Sequence, residues 1–164
     1  MDYNPSAFYT IAQIAVTLTG FIAVLVALQE GDNRFSRLAV VTIFGTTGGA
    51  LIFAFVPELL MRVVGMEAAW RISCGTFGFY HLFLIFNHQV RQLQFKKNSP
   101  TQLVIVILSI FPVVFLKIAV GFRFFLTYSY EIFLLGLIWC IFIPLYLFSM
   151  IILAYTQQNS NNNE

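Results

Sequence analysis

Five stretches of the chain contain no Asp, Glu, Lys or Arg: Tyr3–Leu28, Leu38–Val56, Ile72–Val90, Leu103–Leu116 and Ile132–Tyr155. A helix crossing a bilayer needs about 20 mostly apolar residues, because it rises about 1.5 Å per residue through a hydrocarbon layer of about 30 Å. The first and last runs reach that length unaided. The second reaches it with Pro57 and Glu58 at the interface, and the third with Asn87 and His88 near its end. The fourth needs Lys117 to Phe122, which a lysine snorkelling towards the headgroups would permit. The sequence therefore predicts an all-α polytopic membrane protein. Its five transmembrane helices are expected at about 6–28, 38–61, 69–91, 102–122 and 131–155, with no soluble domain.

Composition closes off the other classes. The 164 residues are 59% hydrophobic and only 10% charged, against about 25% charged in a soluble domain. A net charge of +2 is too small and too scattered for nucleic-acid binding, which needs a clustered basic face. A β-barrel would alternate apolar and polar residues, whereas Leu103–Phe115 is apolar on every side apart from Ser109. The first run is too long for the apolar core of a cleaved leader, and Asp2 is the only side-chain charge before it, so it is expected to be retained.

The connections are short. Gln29–Arg37, with Glu30, Gly31, Asp32 and Asn33, reads as a hydrated turn. Gly65 reads as a helix stop. Gln92–Thr101 carries Lys96, Lys97 and Pro100, and Arg123–Glu131 is aromatic enough to lie along an interface. Thr156–Glu164 is rich in Asn and Gln and is expected to be a disordered tail. Orientation rests on Arg34, Arg37, Arg91, Lys96 and Lys97 on one side. On the other stand Arg62, Arg71, Arg123 and, near the membrane, Lys117. The positive-inside rule then puts the N-terminus outside and the C-terminus in the cytoplasm.

Polar residues within the runs mark the candidate sites. In the first helix Thr10, Gln13, Thr17 and Gly20 form one stripe at helical spacing. Such a stripe packs against another helix or, alternatively, lines a water-filled path. In the second, Gly45 and Gly49 form a G-x-x-x-G pair suited to close crossing; a local unwinding that offers carbonyls to an ion is the alternative. In the third, Gly78 lies on the stripe of Cys74, His81 and His88. The two histidines are about 10 Å apart along the axis, too far to share one metal. His81 reads as a hydrogen-bonded packing residue, with proton sensing as the alternative. Cys74 and Cys140 read as buried thiols.

Glu58 and Lys117 are expected at the same membrane face, with Arg62 and Arg71 nearby. They make either an ion pair or the charged rim of a vestibule. No H-E-x-x-H, G-x-S-x-G or phosphate loop occurs, so no enzymatic activity, cofactor or metal site is expected. The expected partners are the lipid bilayer and either further copies of the chain or another membrane protein. The expected role is structural, association through small and polar stripes; an oligomeric ion channel or small-solute transporter is the alternative.

Three patches also carry a resemblance. They are Ile11-Ala12-Gln13-Ile14-Ala15-Val16-Thr17-Leu18-Thr19-Gly20-Phe21, Phe55-Val56-Pro57-Glu58-Leu59-Leu60 and Trp70-Arg71-Ile72-Ser73. Together the first half of the chain resembles a group of small, uncharacterised bacterial membrane proteins of four or five spans. Those proteins often have an acid where this chain has Gln13. The resemblance implies a bacterial inner-membrane protein and no particular activity.

Overall fold

The computed structural model of the chain describes residues 5–28, 37–95 and 100–161, with side chains over 5–24, 40–87 and 111–149. Residues 29–36 of the turn expected at Gln29–Arg37, Lys96, Lys97 and the side chain of His88 lie outside these, while Arg37 is the first residue of α2. The helices are α1 (Pro5–Leu28), α2 (Arg37–Val64), α3 (Met66–Phe95), α4 (Pro100–Gly121) and α5 (Ser129–Asn161). No strand occurs among the described residues. Helices α2 to α5 each contain one charge-free run and extend past both of its ends.

Two sharp connections organise one end. Gly65, at φ 81°, stops α2 in the left-handed region, which a glycine enters without a Cβ clash. The α4–α5 link turns through Arg123 (φ 74°) and Phe125 (φ 56°) and a single 3-10 turn at Leu126–Tyr128. Phe122, Phe124, Phe125 and Tyr128 are all exposed there, as an aromatic collar at a membrane boundary would be. At the other extreme, α5 runs on to Asn161. The Asn/Gln stretch expected to be disordered is therefore helical to that point. No Gly or Pro interrupts it, so an existing helix propagates at little cost.

α5 packs on all four other helices, while α1 rests on α2 and α5. Phe8 anchors α1: its ring lies 5.4 to 6.1 Å from those of Trp70, Tyr130 and Phe133. Each such aromatic pair is worth about 0.5–1.5 kcal/mol beyond area burial. α3 and α4 come close where Gly75 faces Gly121; a β-carbon on Gly121 would stand 3.0 Å from the Gly75 Cα. Pro57, Pro112 and Pro144 lie inside α2, α4 and α5. Each removes one donor from its ladder, which transmembrane helices tolerate when neighbours re-satisfy the freed group.

Among the described residues, three helices are long and apolar enough to cross a membrane: Pro5–Val24, Val40–Val64 and Leu126–Ser149. The described apolar part of α4, Phe111–Gly121, is shorter. The described part of α3 falls short, because Arg71, Ser73, Thr76, Tyr80, His81 and Asn87 dilute its hydropathy.

Candidate functional site: a buried lysine, histidine and cysteine

Lys117 does not snorkel. It is fully buried, and its chain points back along α4 into the bundle, as a helical Cβ directs it. Its Nζ lies 2.9 Å from Nδ1 of His81 and 3.6 Å from the centroid of the Phe77 ring. The other imidazole nitrogen of His81, Nε2, lies 3.0 Å from Sγ of Cys140. The Lys117 amine, the His81 imidazole and the Cys140 thiol thus form one continuous chain joining α4, α3 and α5. His81 falls near the middle of α3, so the chain sits deep within the bundle.

The surroundings are shaped for it. Gly136 on α5 has no side chain, and the Lys117 ε-carbon and Nζ occupy the place a β-carbon there would take. Gly78 on α3 lets α4 come close, since a β-carbon on it would meet Ile118 Cγ1 at 2.7 Å. Phe53 stacks on the far side of this layer against Phe77 at 4.4 Å. Cys74, also buried, contacts the Ser129 carbonyl at 3.7 Å. Pro144 follows Cys140 by four residues and so cannot donate to its carbonyl.

The imidazole has two consistent hydrogen patterns. With the proton on Nε2, His81 donates to the Cys140 sulfur and accepts from Lys117 at Nδ1. With the proton on Nδ1, His81 donates to Phe77 O at 3.2 Å and towards the lysine nitrogen, and Nε2 accepts from the thiol. Among the described residues no carboxylate pairs with Lys117; the two ion pairs found are Arg62–Glu58 and Arg123–Glu67.

The expected pairing of Glu58 with Lys117 is therefore not made. Glu58 accepts from the Tyr9 hydroxyl through Oε2 and from Arg62 at 2.9 Å through Oε1. Arg62 is one turn away on the same helix, whereas Lys117 is drawn inward by the space at Gly136. Arg71 does not join them: its Nε is buried without a hydrogen-bond partner. Ser73 is likewise buried with no partner for its hydroxyl, so it makes no hydrogen bond to His81.

The helix-packing residues divide. Gly49 packs tightly on α3, where a β-carbon would collide with the Tyr80 ring. The Tyr80 hydroxyl donates to Gly45 O at 2.6 Å, and a β-carbon on Gly45 would meet Leu84 at 3.2 Å. α2 remains helical through this stretch, against a local unwinding. Thr10, Gln13, Thr17 and Gly20 do not form a seam within the bundle. All four are exposed, and a β-carbon on Gly20 would meet nothing within 4 Å. The buried face of α1 is instead Phe8, Ile11, Ala12, Ala15 and Ile22. In lipid no hydrophobic force chooses between a small-polar face and an apolar one, and the large Phe8 ring together with small Ala12 and Ala15 gives the better fit. An open groove of about 470 Å³ runs beside the stripe, lined by Tyr9, Ala12, Gln13, Val16, Thr17, Leu51 and Phe55.

Fold and site together define an all-helical protein with membrane-spanning character and an ionisable cluster inside its bundle. Comparison with family models, with curated proteins and with solved structures gives no match. Among the described residues no three metal-ligating side chains come together.

Sequence reasoning missed Gly75, Gly121 and Gly136, did not connect Tyr80 with the glycines of α2, and treated Lys117, His81 and Cys140 separately. One signal was available: Lys117 is the only charge between Thr101 and Phe122, and an intramembrane charge requires a partner.

Proposed function

We propose that this chain is a five-span protein of the bacterial inner membrane, with its N-terminus outside and its C-terminus in the cytoplasm. We read it as a membrane subunit that associates with copies of itself rather than as an enzyme. The observation carrying this reading is the outward position of Thr10, Gln13, Thr17 and Gly20. Thr10 and Thr17 donate their hydroxyls to Ser6 O and Gln13 O, each at 2.9 Å, so both are satisfied within α1. The exposed Gln13 amide has both donors and an acceptor. In hydrocarbon it gains by meeting another polar group. A second copy of the same stripe supplies one, because an amide is self-complementary across a two-fold axis.

Disulfide trapping tests this. Thr17→Cys should give covalent dimers in bilayers, while Phe115→Cys, exposed on α4, should not. Gln13→Leu should weaken the Thr17→Cys crosslink. Equal crosslinking at both positions would overturn the interface.

A second reading, an oligomeric channel or small-solute carrier, is favoured by the same stripe if several copies turn Gln13 and Thr17 towards a shared axis. Ion flux through purified protein in liposomes separates the two: self-association alone gives none.

A further inference from the structure

We propose that Lys117, His81 and Cys140 form a proton-transfer relay inside the bundle, with the Lys117 amine and the Cys140 thiol as its ends and the His81 imidazole as the carrier. The relay goes beyond the self-association reading and does not depend on it.

Three observations carry it. The first is continuity: 2.9 Å from Nζ to Nδ1 and 3.0 Å from Nε2 to Sγ. Both separations lie within hydrogen-bond reach on opposite sides of one ring, the arrangement that lets imidazole take a proton at one nitrogen and release one at the other. The second is enclosure. Lys117 and Cys140 are each fully buried and His81 is 3% exposed, so the three groups face one another rather than bulk solvent. The third is provision for both forms of the amine. When charged, it lies 3.6 Å from the Phe77 ring centroid, a cation–π position. When neutral, it lies 2.9 Å from Nδ1 and can accept from Nδ1–H, with Phe77 O at 3.2 Å as the competing acceptor. A purely structural lysine would be expected to have a carboxylate or a route to the surface, and neither is present among the described residues.

The step balances. From the neutral cluster, the Cys140 S–H bond breaks as Nε2–H forms, and Nδ1–H breaks as a third Nζ–H forms. One proton has moved from sulfur to nitrogen, leaving a thiolate, the other imidazole tautomer and an ammonium. No oxidant or co-reactant is involved. The other groups around the amine are accounted for. Cys74 on α3 turns its thiol to Ser129 O at 3.7 Å. Tyr80 on α3 turns its hydroxyl to Gly45 O on α2. Glu58 on α2 is held by Tyr9 and Arg62.

The test uses the full chain in lipid nanodiscs carrying Cys74→Ala and His88→Gln, so that each signal has one source. Nitrogen-15 spectra report the His81 tautomer, and the infrared S–H stretch reports the Cys140 proton. The relay predicts two populated tautomers, with the S–H band falling as the Nε2–H form rises. Lys117→Met and Cys140→Ala should each collapse His81 to a single tautomer. A single tautomer without either substitution overturns the relay. So do two tautomers that persist in either variant, or an S–H band that stays constant while the tautomers interchange. The S–H correlation needs neither substitution in the triad, so misfolding of those variants leaves the test intact.

Discussion

Lys117 and Gly136 fit one another: the lysine chain crosses α5 where Gly136 has no β-carbon, and its Nζ and ε-carbon fill that place. Gly136→Ala should therefore push the lysine off His81 and cost about 1–3 kcal/mol, as overpacking does. Thermal unfolding in detergent should show the loss, and adding Lys117→Ala should recover much of it. Additive effects of the two changes would mean that the space at Gly136 serves something else.

Two adjacent glycines on α2 should respond oppositely. Gly49→Ala meets the Tyr80 ring, whereas a β-carbon on Gly48 meets nothing within 4 Å. Alanine also favours a helix interior over glycine by about 1 kcal/mol. Gly48→Ala should thus leave the melting temperature unchanged or raised, and Gly49→Ala should lower it. Similar shifts for both would remove Tyr80 as the cause.

Glu58 should couple to Tyr9 and not to Lys117. In double-mutant cycles on unfolding, Tyr9→Phe with Glu58→Gln should depart from additivity, because each removes one side of the same hydrogen bond. Glu58→Gln with Lys117→Met should add. The Arg62 pair should matter least, since its guanidinium side is 74% exposed and exposed pairs contribute little.

The proposed topology is checked by reporter fusions at residues 35 and 96 and after residue 164. All three should report cytoplasm. Opposite signals at 96 and 164 would mean that one of α4 and α5 does not cross, overturning the span count, and a periplasmic signal at 96 would reverse the orientation.

Helix positions were legible because a charge in lipid is costly enough to punctuate the chain: α2 begins at Arg37 and ends beyond Arg62, and Gly65 marks the turn. Facing was much less legible. A soluble helix declares its buried side by polarity, but Thr17 and Ala15 are equally acceptable against lipid, so polarity did not reveal that the face of α1 turned into the bundle carries Phe8, Ala12 and Ala15. Lys117 was misread for a related reason. Snorkelling and inward burial differ only in where a cavity lies, and the cavity is made by Gly136 on a different helix. The Glu58–Arg62 contact, by contrast, follows from i,i+4 spacing alone. Gly45 and Gly49 were identified as close-packing positions, yet nothing local named Tyr80 as the group they admit.

The threonines of α1 have a consequence for how that helix meets its surroundings. Thr10, Thr17 and Thr19 each return the hydroxyl proton to a carbonyl one turn earlier. With the oxygen folded against the backbone, the methyl group is what remains to face outward. To a neighbouring acyl chain these residues resemble valine, and hydropathy indices overstate the wetness of the helix. Gln13 is then the one carboxamide on the exposed side of α1, on the same stripe as Thr10 and Thr17. A single carboxamide in a hydrocarbon field fixes rotation and depth as a pin does, so any neighbour that binds it is held in register along the whole helix.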